Sequence, residues 1–424
     1  IIFDQDNVEH RPTTTDITYV ADQIFATYPI PYLDYDHPYD IKPVFFDGPP
    51  LNVLSFIRVN SMLNIARLMD GCGTNCQKYY LGVLVDQPSN AALNGMAGDI
   101  PSNVATAYVT DRYTHPHELG HSIGQRHVLC DGSEGGADLS YPYSGGQISN
   151  DTLGDNAFYG FNTNSKAIFD PSSGDLMSYC SVRWTSDWTY SQLREKIEAR
   201  YQADNQKTFT TMADAIMVSG LVNTDLNSGN FEEVYTFETT TFISPPDPGS
   251  YTIRFEDDMG QEIISYPFEP TFGVDSIVGL NIENDNSLGS FALLLPKPEG
   301  FHRIILLHGA EILDWRDTSN NPPSVQVVYP NGGELISGQK LLVTWTADDA
   351  DNDSLVFAVQ YSRDSGINWM TLATNITSKS VEINIDKLPG TEQGLIRIIA
   401  SDGLLSSLDT SNEVFSIEKH APVA

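Results

Sequence analysis

Basic residues are scarce. In 424 residues, 23 Lys and Arg stand against 56 Asp and Glu, a formal net charge of −33. Holding a phosphate backbone needs clustered cations, so nucleic acid is excluded as a partner. No apolar run reaches the roughly 18 residues that cross a bilayer as a helix, so no membrane span is expected. The chain opens on Ile1 rather than methionine. It is expected to be a mature or trimmed form, for which a missing signal says nothing about export. Cysteine is rare too, with four residues, Cys72, Cys76, Cys130 and Cys180. The hydrophobic share of 40% is ordinary for a globular protein, and the length suffices for two or three domains with cores of their own.

Against this background one stretch is dense in chemistry: His117-Glu118-Leu119-Gly120-His121-Ser122-Ile123-Gly124-Gln125-Arg126-His127. It fits His-Glu-x-x-His-x-x-Gly-x-x-His at all five fixed positions, a match with chance odds of roughly one in ten thousand in a chain this long. On a helix, residues four apart share a face, so His117 and His121 can offer two imidazoles to one metal ion. Glu118 can reach a metal-bound water without being a ligand. Gly124 can take the left-handed conformation that ends a helix and returns His127 as a third ligand. Pro116 suits the first helical position. Three imidazoles leave the fourth tetrahedral position of zinc open, as catalytic sites require. The competing reading is a zinc site without turnover.

This stretch resembles the signature of the metzincin clan of zinc metallopeptidases, in which a Met-turn follows the long motif. Asp175-Leu176-Met177-Ser178-Tyr179-Cys180 is similar to such a turn. The resemblance implies that Met177 lies beneath the metal and that Tyr179, as in the astacin and serralysin branches, reaches the metal or the reaction intermediate. It also implies that the glycine-rich segment around Gly95, Met96 and Ala97 is the cleft edge that binds substrate backbone by β-augmentation. A plain loop is the alternative. The glycine-aspartate repeats of the serralysin branch and the pro-segment cysteine of the matrixin branch are missing. Two disulfides would suit an oxidising compartment. Cys72 and Cys76 sit in a glycine-rich turn able to close a small loop. A Cys130–Cys180 bridge would tie the third ligand to the floor of the site. Four free buried thiols remain the alternative.

Along the chain, helical patterns cover residues 15–26, 51–69 and 189–201, and a buried strand is expected at 79–85. Residues 131–174 are irregular, and their carbonyls and carboxylates (Asp131, Glu134, Asp138, Asp151, Asp155) allow a structural calcium ion. After residue 204 short β-rich runs alternate with turn signals, among them Ile277–Ile282. The fold class expected is therefore an α+β metzincin-like catalytic domain (1–205), with a mixed twisted sheet and a zinc helix, followed by two all-β sandwich domains. These are a first sandwich (206–321) and a module resembling immunoglobulin or fibronectin type III domains (322–424). In the latter, Asp348-Asp349-Ala350-Asp351-Asn352-Asp353 reads as a calcium loop or as an exposed turn.

The expected function is a secreted, monomeric zinc endopeptidase acting on protein or peptide substrates. His117, His121 and His127 would hold the ion, Glu118 would be the general base, and Tyr179 would stabilise the oxyanion. The alternatives are a zinc-containing adhesin or scaffold without turnover, and a peptidase directed at glycoproteins by its β modules.

Overall fold

A computed structural model describes residues 1–418 apart from 6–7, 34–43, 47, 73–77, 131–136, 181, 205–212, 240–242, 244–245, 273, 276–286, 386–387 and 389. The strand expected at Ile277–Ile282 lies outside the described residues.

Four helices occur among the described residues: α1 (Thr14–Thr27), α2 (Val53–Met69), α3 (Thr114–Ile123) and α4 (Asp187–Asp204). Thr13 starts α1 by a capping box with Asp16, and Val20, Ala21 and Ile24 form its buried stripe. Asn52 and Ser55 cap α2 in the same way. The expected amphipathic stripe of α2 is wider than its spacing suggested. Ten residues from Phe56 to Met69, Phe56, Ile57, Val59, Met62, Leu63, Ile65, Ala66, Arg67, Leu68 and Met69, are buried, and Asn60 and Ser61 with them. Arg58 alone stays exposed in this stretch, and a helix buried round most of its circumference is an interior element, not a surface one.

The sheet beside α3 runs in the order Val274–Asp275, Gly95–Ala97, Val104–Tyr108, Tyr80–Leu84. The last two are parallel, and the other neighbours are antiparallel. Asn60 of α2 fastens to this sheet: its Oδ1 accepts from Thr106 Oγ1 at 2.7 Å and its Nδ2 donates to Met96 O at 3.1 Å.

The remainder is strand. Ala213–Asn223 pairs with Ser228–Thr239 and Leu288–Pro296. Facing it is a four-stranded sheet of Tyr251–Glu256, Glu262–Phe268, Arg303–His308 and Glu311–Asp317, which shares its core through Ile253, Phe255, Ile304 and Leu306. The last hundred residues form a three-stranded and a six-stranded sheet around Trp345, Phe357, Tyr361 and Phe415.

The expected fold class, a helix-bearing α+β metzincin-like domain followed by two sandwiches, is corrected by this architecture. Among the described residues the fold is mostly β, 40% strand against 17% helix, in many small sheets. The physical reason is long-range packing that local periodicity does not report. Val274–Asp275 joins the sheet of Gly95–Ala97 from far downstream. Leu221 is buried in the same core as Phe56, Leu84 and Tyr108. Ile65, Leu68 and Met69 at the end of α2 share a core with Ala215, Tyr235, Leu294, Ala358 and Ile399. Backbone groups join in as well, since Gln360 Nε2 donates to Met69 O at 3.0 Å and Thr371 N to Asp70 Oδ1 at 2.5 Å.

Candidate metal centre

Helix α3 is short and wholly buried, from Thr114 to Ile123. It begins two residues before the expected start, so Pro116 occupies its third position, where the missing N–H still leaves no intrahelical bond unmade. Asp111 caps it, with Oδ1 accepting from Tyr113 N at 2.7 Å and Thr114 N at 2.9 Å. Its C-cap is Gly124 at φ 102°, ψ 22°. The left-handed turn sends the chain back, and Gln125 N bonds to Gly120 O at 2.8 Å.

The turn brings His127 to His117 and His121. His121 Nε2 lies 3.0 Å from His117 Nε2 and 2.9 Å from His127 Nε2. The opposite ring nitrogens are engaged: His117 Nδ1 is 2.9 Å from Leu176 O, and His121 Nδ1 is 2.8 Å from Gln125 O. A carbonyl only accepts, so each Nδ1 carries the proton and each Nε2 presents a lone pair. Lone pairs that face one another across 3 Å repel unless a cation lies between them. All three rings are buried, at 0–4% exposure. Burial first, then the neighbouring His127, lowers His121 to about 3. Burial, His121, His127 and Arg183 hold His117 well below the usual imidazole range. His117 and His121 are therefore neutral at pH 7, the form that binds metal. The donor set fits a buried ion, and the three residues could hold one.

The Met-turn is built on Asp175. Its Oδ1 accepts from Met177 N at 2.9 Å, its Oδ2 from Ser186 N at 3.0 Å, and its carbonyl from Ser178 Oγ at 2.7 Å. Desolvation by burial raises the pKa of this carboxyl. Val128 N bonds to Met177 O at 3.0 Å, which ties the turn to the third histidine. Met177 is fully buried and lies under α3. A Cβ at Gly120 would fall 2.4 Å from its sulfur, so glycine there makes room for it. Tyr179 Oη is 2.7 Å from His127 Nε2.

Glu118 is 1% exposed and packs against Gly95, where a Cβ would come within 2.9 Å of Glu118 Cγ and 3.0 Å of its Oε1. The strand Gly95–Ala97 thus abuts the carboxylate. It does not offer a free edge, because Val104–Tyr108 pairs with it on one side and Val274–Asp275 on the other. Met96 is 1% exposed and points into the core.

Cys130 and Cys180 form a disulfide, with Cα atoms 5.8 Å apart. Cys72 is also disulfide-bonded, while Cys76 lies outside the described residues, as do the calcium candidates Asp131 and Glu134. Among the described residues, Asp138, Asp151 and Asp155 form no metal-holding group.

One residue beside the site escaped sequence reasoning. Arg183 Nη1 donates to Ser178 O at 3.2 Å, its Nη2 lies 3.5 Å from Asp111 Oδ2, and its guanidinium stacks 4.9 Å from the Tyr113 ring. Burial lowers its pKa, while Asp111, Tyr113, Tyr179 and Glu118 pull it back up. It is a half-buried cation whose charge is felt by both Tyr179 and Glu118. Its place just after the Met-turn was the only signal.

No protein-family model matches the chain. No curated protein matches it either. No helix among the described residues is long and apolar enough to cross a membrane.

Proposed function

We propose that the chain is a zinc endopeptidase acting outside the cell on extended peptide segments. The observation that carries this reading is the convergence of three buried imidazoles, with His117 Nε2 and His127 Nε2 both within 3.0 Å of His121 Nε2, and with Glu118 next in sequence to the first of them. The site resembles that of metzincin peptidases in these residues, in the Met177 turn and in Tyr179. The Cys130–Cys180 disulfide suits an oxidising compartment.

When bound by His117, His121 and His127, zinc would supply a water of pKa near 7 and a Lewis acid for the substrate carbonyl. The chain's own residues do the rest. The Leu176 and Gln125 carbonyls keep the ligand imidazoles in the tautomer that presents Nε2. Glu118, held in a buried position by Gly95, accepts the proton of the attacking water and returns it to the leaving amine. The Tyr179 hydroxyl can turn from His127 to donate to the developing oxyanion. Arg183 adds positive potential beside both groups.

The test is Glu118→Gln. Native protein should cleave denatured casein in a chelator-sensitive way. The variant should keep about one zinc per chain, by elemental analysis, and lose on the order of 10²–10⁴-fold in rate. Undiminished cleavage by the variant would remove Glu118 from its role. Stoichiometric zinc with no cleavage by native protein would make the centre structural.

A further inference from the structure

Elsewhere in the chain, three carboxylates gather in the loop at 349–353, which with the loop at 402–405 holds the connection between Glu311–Asp317 and Ser324–Tyr329. Ligand oxygens of Asp349, Asp351 and Asp353 lie within 4.8 Å of one another. Asp402 is close enough to act on Asp353 electrostatically, together with Asp349 and Asp351. None of the ion pairs among the described residues involves any of the four. Lys379 lines the same cleft as Asp349 and Asp353, but its ammonium is engaged by the Ala347 carbonyl, to which it donates at 2.6 Å.

The informative member is Asp349, 8% exposed. Its Oδ1 accepts from Asp351 N at 2.9 Å and Asp353 N at 3.0 Å, which shapes the loop. Its Oδ2 is buried with no hydrogen-bond partner. A buried carboxylate oxygen with neither a hydrogen-bond donor nor an ion-pair partner is strongly unfavourable in water-free surroundings. Like-charged neighbours make it worse. One ligand class relieves all of this, a divalent cation that prefers oxygen.

We propose that Asp349, Asp351 and Asp353, with Asp402 beside them, bind one calcium ion. Only oxygens are on offer, which selects hard cations over zinc. The one-three-five spacing is that of the first ligands of a helix-loop-helix calcium loop. The likeness stops there, because Ser354 stands where such a loop needs glycine and Gln360 where it needs glutamate. Further ligands come instead from across the junction and from water. Calcium tolerates such an irregular set, whereas magnesium demands a near-octahedral one.

The ion would fasten the connection to the last sheets. Asp351 already accepts from Asn321 N at 2.8 Å and Asn321 Nδ2 at 3.1 Å, and Asp402 Oδ2 accepts from Ser319 Oγ at 2.7 Å. With the cation present, these two carboxylates hold residues 319–321 against the loops rather than repelling each other.

The test uses the full chain, stripped of calcium and loaded with zinc, titrated with calcium chloride in a calorimeter. One site per chain is expected, with a dissociation constant on the order of 10⁻³ M or tighter, the range of extracellular calcium modules. Asp349→Asn and Asp353→Asn should each weaken it about tenfold or more, since affinity follows the count of charged ligands. Without calcium, Asp349→Asn should unfold at the same temperature as native protein or higher, which shows that it folds. His121→Ala should bind calcium normally, separating this site from the metal centre at α3. No saturable heat up to about 10 mM calcium, well above that range, overturns the proposal. So does unchanged affinity in Asp349→Asn.

Discussion

Replacing Cys130 and Cys180 together by serine should weaken both the fold and the metal centre. The bridge spans a sequence separation of 50. Closing a loop of that length removes about 14 cal/mol/K from the unfolded chain, or about 4 kcal/mol at 25 °C. That figure is a ceiling, because residual structure in the unfolded chain lowers the entropy lost; in the folded chain the loop is also held by Val128 N to Met177 O at 3.0 Å, Ile148 N to Ser173 O at 2.8 Å, and the Phe169–Trp184 stack at 4.3 Å. The second effect is local. The bridge lies three residues past His127 and closes the turn whose Leu176 carbonyl orients His117. Groups that orient a ligand from outside the coordination sphere are worth about 10–100-fold in metal affinity. The double serine variant is cleaner than a reductant, since Cys72 is also disulfide-bonded. Urea unfolding reads the first effect, and zinc competition against a chromophoric chelator reads the second. Equal unfolding midpoints and equal zinc affinities would refute the reasoning, and would mean that packing alone holds the loop.

Three more outcomes are expected. Gly95→Ala pushes a methyl group against Glu118 and against Ala107 Cβ at 2.9 Å; steady-state kinetics should show kcat down by about 10²-fold with zinc content unchanged. Tyr179→Phe should lower kcat by up to about 10²–10³-fold, the range for one oxyanion donor, with KM for a peptide substrate little changed. Metal-free protein should lose stability in acid. Burial lowers His115 to about 4 and His121 to about 3 in the folded chain, against about 6.5 when unfolded. The unfolded chain therefore takes up protons first. Stability is full above about pH 6.5 and falls until the folded values are reached, by about 2 kcal/mol per histidine at about pH 5. Urea melts of native and His115→Gln protein at the two pH values should differ in slope by that one histidine's share.

The metal centre was legible because its information is local. His117, His121, Gly124 and His127 lie within three helical turns, and the geometry of a helix and a left-handed cap converts their spacing into convergence. The Met177 turn was legible by its resemblance, though the carboxylate that builds it, Asp175, and the cation behind it, Arg183, were not. Both act through burial and partners that spacing cannot reveal. The fold was less legible for the same reason. The helical pattern of 51–69 was evident in α2, but its burial round most of its circumference depends on strands more than a hundred residues away. The acidic run at 348–353 was visible as a run of charge, yet nothing in it distinguished buried Asp349 from exposed Asp351.

The pairing of Val274–Asp275 along Gly95–Ala97 bears on how the cleft would be entered. A tethered strand competes at a local concentration on the order of millimolar. A free peptide seeking the same hydrogen bonds pays that ratio in apparent affinity, so loosely recognised proteins would be turned away. On the peptidase reading proposed above, changes that pull the resident strand off its neighbour would widen the range of peptides admitted without altering any of the three histidines.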